Sequence, residues 1–246
     1  MEKKKIIITA GGTSEAIDNV RKITNSSSGK LGMTIANELL KEEDKIHTLY
    51  YLCSKTSLRP IHKKVKVIEI GGTMDLKQEV ENLLTHDKID CFIHSMAVSD
   101  YMVDYVTTAS LLAQSIRENS DKDLVKAIKE NQNIIQETKI SSHEDNLMIM
   151  LKPTPKIISL IKTISPSTYL VGFKLLDHVS EEELLEVATN LKNKNQCNLV
   201  VANDLHNIRM GNHKAFIIGN RDTLVAIGKE DIAKKLVKRI NDDGIL

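Results

Sequence analysis

The sequence predicts an α/β fold: a Rossmann-like, mainly parallel sheet with helices on both faces, an antiparallel edge hairpin and a flap or insertion. Three observations carry this expectation. Short runs of β-branched and apolar residues alternate with longer amphipathic stretches, the pattern of parallel strands buried beneath helices. The run Ile6-Ile7-Ile8-Thr9-Ala10 leads into Gly11-Gly12-Thr13, a glycine turn of the kind that ends a strand at the ligand-binding edge of such sheets. The chain of 246 residues is 41% hydrophobic, enough for a sizeable core. We read residues 1–246 as one domain.

In chain order, strands are expected at Ile6–Ala10, Ile46–Leu52, Val65–Ile70, Ile89–Ser95, Leu147–Leu151, Tyr169–Phe173 and Asn198–Asn203. Ala215–Gly219 and Thr223–Ile227 flank the turn dipeptide Asn220-Arg221 and read as a late hairpin. Helices are expected at Lys30–Glu42, where Leu31, Ile35 and Leu39 repeat at helical spacing, and at Met74–Leu84, Leu111–Ile116, Lys122–Lys129, Pro155–Ile164, Glu181–Lys194 and Lys229–Ile240. Ser180 before Glu181, Glu182 and Glu183 is a capping box with acids in the positive first turn. Thr154-Pro155 is a helix start with proline at a tolerated position.

Residues 102–138 break the rhythm. They carry the polar stretch Arg117-Glu118-Asn119-Ser120-Asp121-Lys122-Asp123 and no clear strand, so a mainly helical insertion or flap is expected, too short to sustain its own core. Gly-Gly-Thr recurs at 11–13 and 71–73 in unlike surroundings, which reads as two independent strand-to-helix turns.

Composition excludes several classes. Lys and Arg total 34 against 33 Asp and Glu, so the bulk attraction needed for nucleic acid or anionic membranes is missing. Aromatics are 3% with no Trp, which argues against stacking platforms for single strands. No uncharged run approaches the ~20 residues of a membrane span. Met1-Glu2-Lys3-Lys4-Lys5 leads directly into a strand and not into a secretory h-region, so a cytoplasmic protein is expected. Cys53, Cys91 and Cys197 are odd in number and lack CxxC spacing, which suggests buried thiols without a zinc site or disulfide framework.

The chemistry is expected in four segments. The Gly11-Gly12 turn allows close backbone approach to a ligand, although neither Gly-x-Gly-x-x-Gly nor the P-loop pattern is present. Asn25-Ser26-Ser27-Ser28-Gly29-Lys30-Leu31-Gly32 offers hydroxyls and free N–H groups at a helix start, an anion site. Gly32 is a poor first-turn residue, costing ~1 kcal/mol against Ala, which suggests that a phosphate packs there. His94-Ser95-Met96-Ala97-Val98-Ser99-Asp100-Tyr101 puts one carboxylate just past a strand, suited to a cation on a polyphosphate or to a substrate hydroxyl. Lys139-Ile140-Ser141-Ser142 and Lys152-Pro153-Thr154-Pro155-Lys156 bring lysines that suit a triphosphate.

These stretches, with Val20-Arg21-Lys22-Ile23-Thr24, Val171-Gly172-Phe173-Lys174 and Val200-Val201-Ala202-Asn203-Asp204, stand in one order from residue 6 to about 227. The ordered set resembles the monofunctional phosphopantothenate–cysteine ligases (phosphopantothenoylcysteine synthetases) of coenzyme A biosynthesis. The resemblance implies activation of the 4′-phosphopantothenate carboxylate by CTP, with ATP possible, through an acyl-nucleotidylate and with Mg2+. L-cysteine then displaces the nucleoside monophosphate to form an amide. It further implies that Gly11, Ser27, Gly29, Gly32, Phe173 and Asn203 contact nucleotide and that Ala97 and Asp100 contact phosphopantothenate. Asn25 would act on the acyl-nucleotidylate and bind pantothenate. Asp100 would meet the metal-bearing phosphates, and Lys139 would lie on a flap over the triphosphate. A homodimer, and a separate decarboxylase beside a chain lacking that domain, are implied as well.

Two departures stand out. Ser141-Ser142 replaces two lysines of the flap motif, leaving Lys152 or Lys156 to compensate, and residues 102–138 lengthen the segment between Asp100 and Lys139. Alternatives at this stage are an NADP-dependent oxidoreductase, for which Lys55 after the second strand is the hint, and a nucleotide-binding sensor without catalysis.

Overall fold

The computed structural model describes residues 2–119, 123–131, 134–135, 138–144 and 146–246. In chain order they form β1 (Lys4–Ala10), β2 (Ser14–Ala16), β3 (Lys22–Thr24), α1 (Lys30–Leu39), β4 (Ile46–Cys53), β5 (Val65–Glu69), α2 (Thr73–His86), β6 (Cys91–His94), β7 (Tyr101–Thr108) and α3 (Ala109–Glu118). Then follow α4 (Leu124–Lys129), β8 (Leu147–Pro153), α5 (Ile157–Ile164), β9 (Tyr169–Leu176), α6 (Glu181–Lys194), β10 (Leu199–Asp204), α7 (Leu205–Arg209), β11 (Lys214–Ile218), β12 (Thr223–Ile227) and α8 (Gly228–Asp242).

The main sheet has eight strands in the order β12-β11-β10-β9-β6-β1-β4-β5. Strands β10, β9, β6, β1, β4 and β5 run parallel, and β11 and β12 add the antiparallel edge. The chain leaves β1 towards β4 and β5, then returns to place β6 on the other side of β1. The crevice beyond β1 and β6 is therefore the topological switch point, where open α/β sheets bind ligands.

Alternation along β1 divides the core. Ile6, Ile8 and Ala10 face one layer with Ile35, Ala36 and Leu39 of α1 and Ile232, Leu236 and Ile240 of α8. Ile7 faces the opposite layer with Leu76 and Val80 of α2, Ile157 and Ile161 of α5, and Leu184 and Ala188 of α6. Burying each such Ile or Leu stabilises by about 1.5–3 kcal/mol, and truncating Ile8 to Ala would cost about 2–5 kcal/mol. The three cysteines are buried free thiols; burial pushes the Cys197 thiol up to about 11.

The structure corrects the sequence reading at several points. Residues expected to contain no strand begin with β7, which pairs antiparallel with β8 as a ribbon separate from the main sheet. The signal was present in Tyr101, Val103, Tyr105, Val106, Thr107 and Thr108, all good strand formers, but the partner lies some forty residues downstream. Leu147–Leu151 accordingly joins this ribbon and not the parallel sheet. Strands β2 and β3, a three-residue hairpin pair, and the short α7 were also not anticipated.

Helix boundaries moved for local reasons. The helix expected to Glu42 stops at Leu39 and tightens into a 3₁₀ segment over Leu40–Lys45, interrupted at Glu42 (φ −98°, ψ 36°). The helix expected from Pro155 begins at Ile157, because Thr154 is held elsewhere: its hydroxyl donates to Ser99 O at 2.5 Å and its N–H to Asp100 O at 3.0 Å. Lys122 lies outside the described residues, and α4 starts behind Asp123, whose carboxylate accepts from the N–H of Val125 and Lys126. Helix α6 spans the expected residues, with Ser180 Oγ accepting from Glu183 N at 3.1 Å.

Candidate active site

Beyond the ends of β1 and β6 the backbone pairing continues. Ala97 N donates to Gly11 O at 2.8 Å and Thr13 N to Ala97 O at 3.2 Å, with Gly12 opposite Ala97 as a parallel bridge. Side chains reinforce the seam. Ser95 Oγ donates to Thr9 O at 2.7 Å, Thr13 Oγ1 donates to Ser99 Oγ at 3.0 Å, and Ser99 N donates to Thr13 Oγ1 at 2.8 Å.

Asn25 is fastened to both turns. Its N–H donates to Thr13 O at 3.1 Å and its side-chain amide to Val98 O at 3.0 Å. The Asn25 carbonyl passes so close to Gly12 that a Cβ built there would lie 1.7 Å from the oxygen. Three segments distant in sequence, Gly11–Thr13, Asn25 and Ala97–Asp100, are thus one connected structure.

The serine loop follows. Gly29 precedes α1 in the left-handed region (φ 71°), no side chain caps the helix, and Ser27 is exposed. A third loop supports this one: Leu58 N donates to Ser28 O at 2.9 Å, and Tyr51 OH donates to Leu58 O at 3.0 Å. Ser54 and Ser57 share a hydroxyl hydrogen bond of 2.6 Å. Ser57 fills the space beside Gly11, where an added Cβ would lie 1.8 Å from its Oγ. Sequence reasoning missed Tyr51, near the end of β4, and Ser54 and Ser57 just after it, since hydroxyl residues at a strand end carry no distinctive spacing.

Gly32 has a different physical reason from the one expected. An added Cβ would lie 2.6 Å from Ala10 Cβ and 3.0 Å from Ser95 Oγ, so its missing side chain lets α1 pack on the end of β1.

Between β6 and α5 lies a cleft of about 180 Å³ lined in part by His94, Met96, Ser99, Asp100, Thr154, Lys156 and Phe173. Asp100 and Phe173, both expected at the site, meet here. Asp100 stands at the mouth with Lys156 Nζ 2.5 Å from its Oδ1. His94 lies deeper, its Nδ1 2.8 Å from Thr9 Oγ1, and burial pushes its pKa down to about 4, so the ring is neutral near pH 7. Asn203 is not among the cleft residues. It is buried near the end of β10, with its amide donating to Lys214 O at 3.3 Å.

Asp204, next in the chain, binds backbone. Its carboxylate accepts from the N–H groups of His178, Val179, His206 and Asn207. Burial works against the charge, but these four donors outweigh it and hold the carboxyl below its usual range. It joins the loops after β9 and β10.

Lys139 is exposed between two anchored neighbours. Asn19 N donates to Thr138 O at 3.0 Å, and Ile140 N donates to Asp18 Oδ2 at 3.2 Å. Arg21 donates from its guanidinium to Ile140 O and pairs with Asp18 at 3.0 Å. The N–H groups of Arg21, Val20 and Ile140, together with the guanidinium, hold the Asp18 carboxyl at about 2. The turn between β2 and β3 is therefore the seat of the Lys139 segment, a role for Asp18 that sequence reading did not find.

Among the described residues no three His, Cys, Asp or Glu side chains converge on a metal position. Asp100 offers one hard oxygen donor at the cleft, the kind of ligand that a divalent cation such as Mg2+ takes beside other oxygens. Among the described residues no helix is long and apolar enough to cross a membrane.

The family profile described as DNA/pantothenate metabolism flavoprotein C-terminal domain matches residues 1–138 and 130–243. The chain belongs to this family. A solved flavoprotein of that description from Streptococcus pneumoniae superposes with a TM-score of 0.83 at 36% identity, over 98% of this chain and 99% of that one. The bifunctional coenzyme A biosynthesis protein CoaBC of Thermococcus kodakarensis is 33% identical over 236 residues, which are 96% of this chain and 47% of the relative. The chain thus spans about half the length of the curated relatives it matches. A Cab2 variant solved in complex with phosphopantothenate-cysteine shares the fold, with a TM-score of 0.65 at 20% identity over 97% of this chain and 87% of that one.

Proposed function

We propose that this member of the pantothenate-metabolism family joins 4′-phosphopantothenate to L-cysteine. The observation that carries the reading is the connection of Gly11–Thr13, Asn25 and Ala97–Asp100 at the switch point of the sheet. Family membership, the coenzyme A biosynthesis relative from Thermococcus kodakarensis and the Cab2 variant solved with phosphopantothenate-cysteine support the substrate class.

In the first half-reaction a carboxylate oxygen of phosphopantothenate attacks the α-phosphorus of the triphosphate, and the bond to pyrophosphate breaks. The carboxylate is already nucleophilic, so the demand falls on positioning and charge neutralisation. The α1 start at Ser27–Gly29 offers N–H groups to phosphate, and Lys139 is assigned to counter triphosphate charge. Gly11, Phe173 and Asn203 are assigned to the nucleotide, and Ala97 to phosphopantothenate. In the second half-reaction the cysteine amine attacks the acyl carbon, nucleoside monophosphate leaves, and the amine loses a proton. Asn25, held by Thr13 and Val98, is assigned to orient the acyl-nucleotidylate. A Mg2+ ion beside Asp100 would supply further charge neutralisation on the phosphates. CTP is the proposed triphosphate, with ATP the alternative, and the working unit is proposed to be a homodimer, which sedimentation tests.

The deciding experiment mixes the protein with phosphopantothenate, cysteine, Mg2+ and either CTP or ATP, and follows pyrophosphate and nucleoside monophosphate. Absence of both products with both nucleotides refutes the ligase. Saturable NADP binding without any triphosphate effect would establish an oxidoreductase instead, and CTP binding without turnover a sensor.

A further inference from the structure

The flap segment carries one lysine, Lys139, where Ser141 and Ser142 follow in place of further cations. Two lysines downstream have different surroundings. Lys152 lies on the β7–β8 ribbon, with Nζ 2.9 Å from Asp104 Oδ1, and is not among the residues lining the cleft. Lys156 lines the cleft together with Asp100 and Phe173.

Its position is built. Thr154, two residues earlier, is bonded to Ser99 O and Asp100 O, and the Lys156 carbonyl accepts from Ser159 N at 3.2 Å and Ser159 Oγ at 2.7 Å. The backbone is thus anchored while the side chain remains 63% exposed, paired among the described residues with an Asp100 side chain that is 71% exposed. Such a surface pair contributes little stability and opens readily. A polyphosphate offers the ammonium more negative charge than one solvated carboxylate, and a cation arriving with it needs the Asp100 oxygen that Lys156 occupies.

We propose that Lys156 is the lysine that neutralises the triphosphate in this cleft, in place of the flap lysines this sequence lacks. Its pair with Asp100 is the resting arrangement: on binding, the ammonium passes to phosphate oxygens and the carboxylate is released to the cation. The proposal rests on the ligase reading above and adds to it a binding residue, together with an exchange of partners at Asp100.

The test uses the full chain and whichever of CTP or ATP it turns over. Equilibrium binding of that nucleotide with Mg2+ is measured by calorimetry, and KM for each substrate by pyrophosphate release, in the parent and in Lys156→Met, Lys156→Arg and Lys152→Met. Lys156→Met is expected to weaken nucleotide binding at least tenfold and raise the nucleotide KM in parallel, with KM for phosphopantothenate within twofold of the parent. Lys156→Arg should restore most of the affinity, and Lys152→Met should behave as the parent. Parent-like nucleotide affinity in Lys156→Met overturns the proposal, as does a rise confined to KM for phosphopantothenate. A parent protein that neither binds triphosphate nor releases pyrophosphate refutes the ligase reading itself, a result separable from failure at Lys156 alone.

Discussion

Gly12→Ala is a small change with a large expected consequence. A Cβ at residue 12 would lie 1.7 Å from Asn25 O and 2.9 Å from Asn25 C, whereas real Cβ contacts essentially never fall below 3.0 Å. The obstacle is backbone and has no rotamer to yield, so the Asn25 carbonyl must retreat by at least about 1.3 Å. That retreat pulls on the 3.1 Å bond from Asn25 N to Thr13 O and the 3.0 Å bond from its amide to Val98 O. Overpacking of this kind costs about 1–3 kcal/mol, and a misplacement of about 1 Å at a reacting centre costs about 10²-fold in rate. Urea denaturation and kcat/KM for pyrophosphate-coupled ligation measure the two effects. Gly211→Ala is the control: Gly211 has φ +82° with nothing within 4 Å of an added Cβ, so about 1 kcal/mol of backbone strain is expected with unchanged kinetics. If Gly12→Ala melts like the parent and retains kcat/KM within threefold, the contact between the glycine turn and Asn25 does not organise the site.

Four further residues have expected outcomes that follow from the same geometry. His94 has its pKa depressed to about 4 by burial, so the unfolded chain takes up this proton first, and its contribution to stability is complete above about pH 6.5 and is lost as pH falls towards 4. Urea titrations across that range should show the slope, and His94→Gln should flatten it; an unchanged slope means the ring titrates normally. Asp18, held at about 2, contributes stability above its ordinary carboxylate range that disappears as pH falls from about 4 to 2. Asp18→Asn should speed amide hydrogen exchange at Ile140 and loosen the Lys139 segment, and parent-like protection there would show that the turn does not anchor it. Finally, Lys139→Gln should slow pyrophosphate release and Asn25→Asp should abolish amide product, measured in the two half-reactions separately; normal values would remove either residue from the site.

The sequence was most legible where local pattern decides structure. The apolar runs of β1, β4, β9 and β10, the helical repeat of α1, the Ser180 cap of α6 and the β11–β12 hairpin all depend on neighbours within a few residues. It was least legible where pairing is remote. Strand β7 gains its hydrogen bonds from β8, and the start of α5 moved because Thr154 bonds across to Ser99 and Asp100.

The sequence by itself determined the fold class and marked Gly11–Thr13, Asn25 and Ala97–Asp100, the segments that meet at the switch point. Residue types and their spacing carry that information. Only the tertiary structure decided that Gly12 is demanded by the Asn25 carbonyl, that Gly32 serves helix packing, that Asp18 anchors the Lys139 segment, and that Lys156 faces Asp100 while Lys152 does not. The physical reason is common to all four: each depends on the position of an atom from a distant segment, and one-dimensional spacing does not encode such positions.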